Sequence, residues 1–105
     1  VRSPDVSFVR RERLPVHELP AGFAEFAPDL AVEVLSPEDR QREILDKVGE
    51  YLAAGVALVW VVDPEQRSAA VFRSLTDIRH VANDGELEGE DVLPGFRCRL
   101  SDLFE

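Results

Sequence analysis

Three side chains in this sequence are of types that could form a site for a divalent cation: Asp5, Glu33 and Lys47. The two carboxylates could bind the ion, and the ammonium could act beside it. Glu33 lies inside an otherwise apolar run, DLAVEVLS at residues 29–36. An ionised carboxylate in a buried strand is costly unless a metal ion or another cation compensates it. The alternative is that Glu33 faces water at a strand end or edge, or pairs with an arginine. The residue types alone leave both interpretations open.

Geometry limits which acid could share a metal ion with Glu33. Asp29 is four residues earlier on the same strand, about 13 Å away, which is too far for one ion with ligand distances of about 2 Å. Asp5 begins another predicted strand, and pairing of the two strands would bring the two backbones to about 5 Å. Asp5 is therefore the better partner, and Asp29 is best explained as a turn residue after Pro28.

Lys47 is the only lysine in a chain with eleven arginines. A surface pair with Glu43 on a helix would contribute about 0.3–0.5 kcal/mol, and arginine would serve there equally well. An ammonium that reaches over the end of the preceding strand toward Glu33 is better supplied by lysine, because its charge is compact and its stem flexible. The spacing permits either role.

Composition restricts the class of protein. A chain of 105 residues with a net charge of −9 is one small domain, and its acidity argues against tight, sequence-independent binding of nucleic acid. No apolar run approaches the roughly 18–20 residues of a membrane span, and the first residues lack a signal-peptide pattern. We therefore expect a cytoplasmic protein with no membrane contact. Cys98 is the single cysteine, which excludes an intrachain disulfide, and we expect its thiol to be at least half-buried.

The hydrophobic pattern predicts an α/β fold. Residues 5–10 and 29–36 are predicted strands, a helix follows to about Ala54, and residues 57–62 and 68–74 are further strands. The strand-helix-strand unit should be a right-handed crossover with parallel strands. Shorter antiparallel pieces are expected after residue 76, at DIRHVA and FRCRL, with a turn at NDGE between them.

The predicted helix has clear end signals. Ser36 is a candidate N-cap, Pro37 suits the first helical position, and Asp39 can return a bond to the cap. Gly55 supplies a left-handed residue after the last turn. The apolar stripe of the helix consists of Ile44, Val48, Tyr51 and Leu52.

Three stretches together resemble the Uma family of putative restriction endonucleases, within the PD-(D/E)XK nuclease superfamily. They are PDVSFV, PDLAVEVLSPEDRQREILDKVGEYLAAGVALVWVVDPEQRSAAVFR and DVLPGFRCRLSDLFE. The elements EVLSP, YLAAGV and VWVVDP stand in the family's order and spacing. Residues 14–27 and 75–90 lie outside the resemblance.

The resemblance implies a restriction-endonuclease-like mixed sheet and hydrolysis of DNA phosphodiester bonds with Mg²⁺ or Mn²⁺. Asp5 matches the acid of the PD element and Glu33 the acid of the second element, so that both would bind the metal. Leu35 occupies the position where the superfamily usually has lysine, and Lys47 matches a lysine that has moved to the following helix. Lys47 would then assist the attacking water and the phosphate.

The match corresponds to the C-terminal half to two-thirds of a family domain, so we expect a single domain without the family's N-terminal region. Without that region an edge of the sheet would be exposed, and an exposed edge favours pairing with a second copy in a homodimer. An alternative function is a catalytically silent remnant that acts as a binding or oligomerisation module. His17 and His80 have no nucleophile placed against them, and Asp63 is best explained as a turn residue before Pro64.

Overall fold

A computed structural model describes residues 6–8 and 29–104 of the chain. Its centre is a mixed sheet of five strands, which are β1 (Val6–Phe8), β2 (Leu30–Val34), β3 (Leu58–Asp63), β4 (Ser68–Phe72) and β5 (Ile78–Val81). They lie in the order β1-β2-β3-β4-β5, with β2 and β3 parallel and the other neighbours antiparallel. The helix α1 (Gln41–Ala53) connects β2 to β3. The predicted α/β fold with its parallel strand-helix-strand unit is confirmed.

The sheet is covered on both sides, as the apolar runs predicted. We call the side that α1 covers the helix face; there Ala31, Val59 and Val61 pack with Ile44 and Val48 of the helix. The opposite side, the hairpin face, is covered by β6 (Glu86–Glu88), β7 (Arg97–Arg99) and a 3₁₀ helix (Leu100–Phe104). Its core contains Leu30, Val32, Trp60, Val71, Leu87 and Leu100. Alternate residues of β2 therefore enter two separate cores.

The start of α1 differs from the prediction. The helix begins at Gln41, and Arg40 occupies the cap position without a side-chain cap. Ser36 instead opens a separate turn, in which its carbonyl accepts from the Asp39 amide at 3.0 Å and its amide donates to the Asp39 carboxylate at 2.8 Å. This hydrogen bond holds the pKa of Asp39 below its ordinary value. The expected return bond from Asp39 is present, but it closes a turn before the helix because such local bonds compete with helical ones.

The end of α1 is as predicted. Gly55 has a φ of 105°. Its amide donates to the Leu52 carbonyl at 3.1 Å, and the Val56 amide donates to the Tyr51 carbonyl at 3.0 Å. These two bonds form a Schellman motif, which satisfies the last carbonyls of the helix and fixes the turn that contains Tyr51.

We expect Gly55→Ala to lower the free energy of unfolding by about 1–2 kcal/mol, because an L-residue is strained at this left-handed position. Gly49→Ala is the matched control: it lies inside α1, and a methyl group there would meet only Leu75 Cδ1 at 3.8 Å. That change should raise the free energy of unfolding by about 0.5–1 kcal/mol. Urea denaturation of both variants tests the pair, and equal destabilisation by the two changes would contradict the assignment.

The connection from β3 to β4 confirms Asp63 as a turn residue. Its Oδ1 accepts from the amides of Glu65 and Gln66 at 3.0 and 3.1 Å. The carboxylate is thus used to close the turn.

Of the antiparallel pieces predicted after residue 76, DIRHVA joins the five-stranded sheet as β5, and FRCRL contributes β7 to a separate two-stranded sheet. β7 pairs with β6, a strand that the sequence pattern did not predict, and Leu87 is opposite Cys98. Cys98 is half-buried as expected, and burial raises the pKa of its thiol. Within the stretch that the structure describes, no helix is both long enough and apolar enough to cross a membrane.

Candidate functional site

The candidate site is centred on Glu33, near the end of β2. Glu33 is opposite Val61 of β3 and points to the helix face, since the alternate residues Val32 and Leu30 belong to the core of the hairpin face. Only 2% of its surface is exposed. The interpretation of Glu33 as a water-facing surface acid is therefore wrong, because the parallel neighbour and α1 enclose it.

Tyr51 supplies a hydrogen bond to this buried acid. Its hydroxyl donates to Glu33 Oε1 at 2.6 Å. Tyr51 is itself buried, with 5% of its surface exposed. The short distance is typical of a hydrogen bond to a charged acceptor, which is stronger than one between neutral groups.

Lys47 supplies the positive charge. Its Nζ lies 3.8 Å from Glu33 Oε1, and its side chain is 31% exposed. The sequence permitted Lys47 to pair with either Glu43 or Glu33. Within the described part of the chain, Lys47 forms no ion pair with Glu43 and contacts Glu33. The stem of Lys47 thus runs from the edge of the buried stripe to a point where the ammonium meets both the carboxylate and solvent.

The helix brings both groups to one oxygen. Lys47 and Tyr51 are four residues apart on α1, a spacing that places them on the same side of successive turns. The ammonium and the phenol together stabilise the charge of a carboxylate that burial would otherwise destabilise.

Sequence reasoning assigned Tyr51 only to the apolar stripe and missed its contact with Glu33. The available signal was its type: a hydroxyl in a buried stripe, one helical turn after the only lysine. A buried phenol usually finds a hydrogen-bond partner.

Asp5 and His17, two other residues considered from the sequence, lie outside the described residues. The nearest described neighbour of Asp5 is Val6, which pairs with Val32, the residue before Glu33. Asp29 precedes the other end of β2. His80 is exposed on β5. The pairing of Val6 with Val32 thus brings β1 beside the end of β2 that carries Glu33, whereas Asp29 stands at the opposite end.

The residues present suit one side of a site for a hard cation. Among residues 29–104, no three or more His, Cys, Asp or Glu side chains are grouped so that they could hold a metal ion. Mg²⁺ is usually bound through one or two carboxylates and keeps several waters. Glu33, a buried carboxylate with oxygen donors, fits as one such ligand, and a second acid would have to join it.

The comparisons with known proteins agree with the fold. The chain is similar to a solved structure of a putative nuclease belonging to DUF820 from Anabaena variabilis ATCC 29413, with a TM-score of 0.79 and 24% sequence identity. The match covers 96% of this chain and 58% of that one, so the chain spans little more than half the length of this relative. At this identity, the likeness establishes a shared fold.

No curated protein matches the chain. A family model does match it over residues 1–101, nearly its entire length: Uma2, described as putative restriction endonuclease. The predicted family resemblance is thereby confirmed, and the chain belongs to the Uma2 family of putative restriction endonucleases.

Proposed function

We propose that the chain is the metal-dependent core of an endonuclease that hydrolyses phosphodiester bonds of DNA. The observation that carries the proposal is the burial of Glu33 against the only lysine of the chain, with 3.8 Å between Lys47 Nζ and Glu33 Oε1. A buried carboxylate paired with a partly exposed ammonium is costly for folding alone, and a buried charged group beside a specific charge partner is the kind of arrangement that functional sites use. Membership of the family supports the same activity.

Asp5 and Glu33 would hold Mg²⁺ or Mn²⁺. When bound, such an ion acts as a Lewis acid and orients a water for attack on the phosphate. Support for Asp5 comes from the register: Val6 is paired with Val32, and in the sequence Asp5 precedes Val6 while Glu33 follows Val32. If the antiparallel pairing continued by one residue, the two acids would be opposite each other and would share the helix face.

Lys47 would act on the reacting groups through its ammonium. Its position at the solvent boundary lets Nζ donate to a water or a phosphate oxygen while it stays close to Glu33. A positive charge placed there stabilises negative charge that develops on the phosphate during attack. It also lessens the repulsion between DNA and a chain whose net charge is −9.

Calorimetric titration with Mn²⁺ and Mg²⁺, followed by cleavage of supercoiled plasmid DNA, tests the proposal. We expect the wild-type chain to bind either ion, and Glu33→Gln to lose both binding and cleavage because the amide keeps the shape but not the charge. The matched control is Glu43→Gln, which removes an exposed carboxylate of α1 and should leave both properties intact. Equal binding by wild type and Glu33→Gln would contradict the assignment of Glu33.

The alternative is a silent member of the nuclease fold that binds a partner or assembles with itself. The acidic net charge favours it, as does the lack, among the described residues, of a group of three or more His, Cys, Asp or Glu side chains that could hold a metal ion. It predicts no binding of either ion by the wild-type chain. A homodimer remains a prediction of both proposals, and light scattering of the purified chain would test it.

A further inference from the structure

We propose that Tyr51 is a positioning residue for Glu33: its hydroxyl fixes the orientation of the carboxylate that is to bind the metal. The inference rests on the proposed function of Glu33 and adds a residue to that site. Tyr51 contacts Glu33 and has no direct role in the reaction.

The geometry of the hydrogen bond carries the argument. Tyr51 Oη and Glu33 Oε1 are 2.6 Å apart, and both side chains are buried. The terminal torsion of a glutamate is broad, so a carboxylate without such a bond samples many orientations. A donor fixed on Oε1 restricts the carboxylate plane and thereby fixes the direction of both oxygens.

Tyr51 is well placed to restrict this motion because it is itself held rigidly. Its ring packs in the core of the helix face with Val48 and Val59. Its carbonyl accepts the Val56 amide at 3.0 Å in the Schellman motif that ends α1. Because its ring and its backbone are both held, the Tyr51 hydroxyl stays in a fixed position and can orient the Glu33 carboxylate.

A purely structural role for Tyr51 would need only the ring. Phenylalanine would fill the same space, and a buried hydroxyl has a desolvation cost that phenylalanine avoids. The hydroxyl is thus best explained by what it does to Glu33.

The first test compares metal binding by the wild type and Tyr51→Phe. We expect Tyr51→Phe to bind Mn²⁺ about 10–100-fold more weakly, the usual effect of removing a partner that orients a metal ligand. Calorimetry measures the affinity, and electron paramagnetic resonance counts the unbound Mn²⁺. In the Glu33→Gln background, where Mn²⁺ binding should already be lost, the same change should alter neither measurement.

A second test needs no variant of Tyr51, so it stands even if the phenylalanine variant folds poorly. Tyr51 is the only tyrosine in the chain. Its ¹³Cζ resonance therefore reports on this hydrogen bond in the wild-type protein. Mg²⁺ on Glu33 withdraws charge from the acceptor, so we expect a saturable shift of the resonance with the midpoint of the calorimetric titration, and no shift in Glu33→Gln.

The outcomes separate this inference from the proposed function. Glu33-dependent metal binding with an unshifted tyrosine resonance, or with unchanged affinity in a folded Tyr51→Phe variant, overturns the role of Tyr51 and leaves the nuclease proposal standing. Absence of any metal binding by the wild type overturns both.

Discussion

Lys47→Met should lower the rate of metal-dependent DNA cleavage by about 10²- to 10³-fold, the usual loss when one group that stabilises the transition state is removed. Methionine keeps an unbranched side chain and a high helix propensity, so that α1 should be preserved. The effect should fall on the chemical step, because Lys47 Nζ is 3.8 Å from the carboxylate proposed to hold the metal. Single-turnover cleavage of plasmid DNA at saturating Mg²⁺ measures it.

The metal affinity of Lys47→Met separates a catalytic from a structural effect. Removal of a cation next to Glu33 should leave Mn²⁺ binding intact or make it tighter, since the two cations compete for one carboxylate. Lys47→Arg keeps the charge but spreads it over a planar group, so partial activity is expected. The control is Arg42→Met, which removes one positive charge from an exposed position of the same helix. A similar loss in Arg42→Met and Lys47→Met would show that net charge, and not the position of Nζ, governs cleavage.

Trp60→Ala should have the largest effect on stability, a loss of about 3–5 kcal/mol in the free energy of unfolding. Trp60 is 3% exposed and lies on the hairpin face beside Val32 of β2. Its ring centroid is 5.8 Å from that of Phe96. A small domain is stable by only about 5–15 kcal/mol in total, so this one change removes a large part. Chemical denaturation followed by circular dichroism measures it, since the variant lacks the only tryptophan.

Trp60→Phe is the informative control. The indole Nε1 is buried and has no hydrogen-bond partner among the residues that the structure describes. Loss of this N–H therefore breaks no bond and removes a desolvation cost, which offsets part of the lost packing. We expect a clearly smaller loss of stability than for alanine. A loss as large as that of Trp60→Ala would mean that the indole N–H is satisfied in solution.

The regular helices and strands could be predicted because their sequences carry either a repeating pattern of apolar residues or a residue, such as glycine, that a particular backbone conformation requires. The unbroken apolar residues of β3 indicated a strand buried on both faces, and Gly55 indicated the end of α1. The start of α1 was misjudged because Asp39 forms the same bond in a turn as in a capped helix. β6 escaped prediction because it has only 3 residues, two of them glutamates.

The site was predictable only in part, because residue types and spacing indicate which groups face each other but not every contact between them. A glutamate within an apolar strand and a single lysine on the next helix suggested their contact before any geometry was known, and the structure contains it. The hydrogen bond from Tyr51 was missed because periodicity tells which face a side chain occupies and says nothing of what its terminal atom contacts.

The placement of Lys47 and Tyr51 on successive turns of one helix also determines where the chain tolerates changes in length. One residue inserted between them would rotate one relative to the other by about 100°, and only one could still reach Glu33. Residues inserted in the exposed turn at Ser36 would leave α1 intact and carry both groups together. The approach to the helix therefore tolerates a change in length, whereas the four-residue interval within it does not tolerate a one-residue insertion.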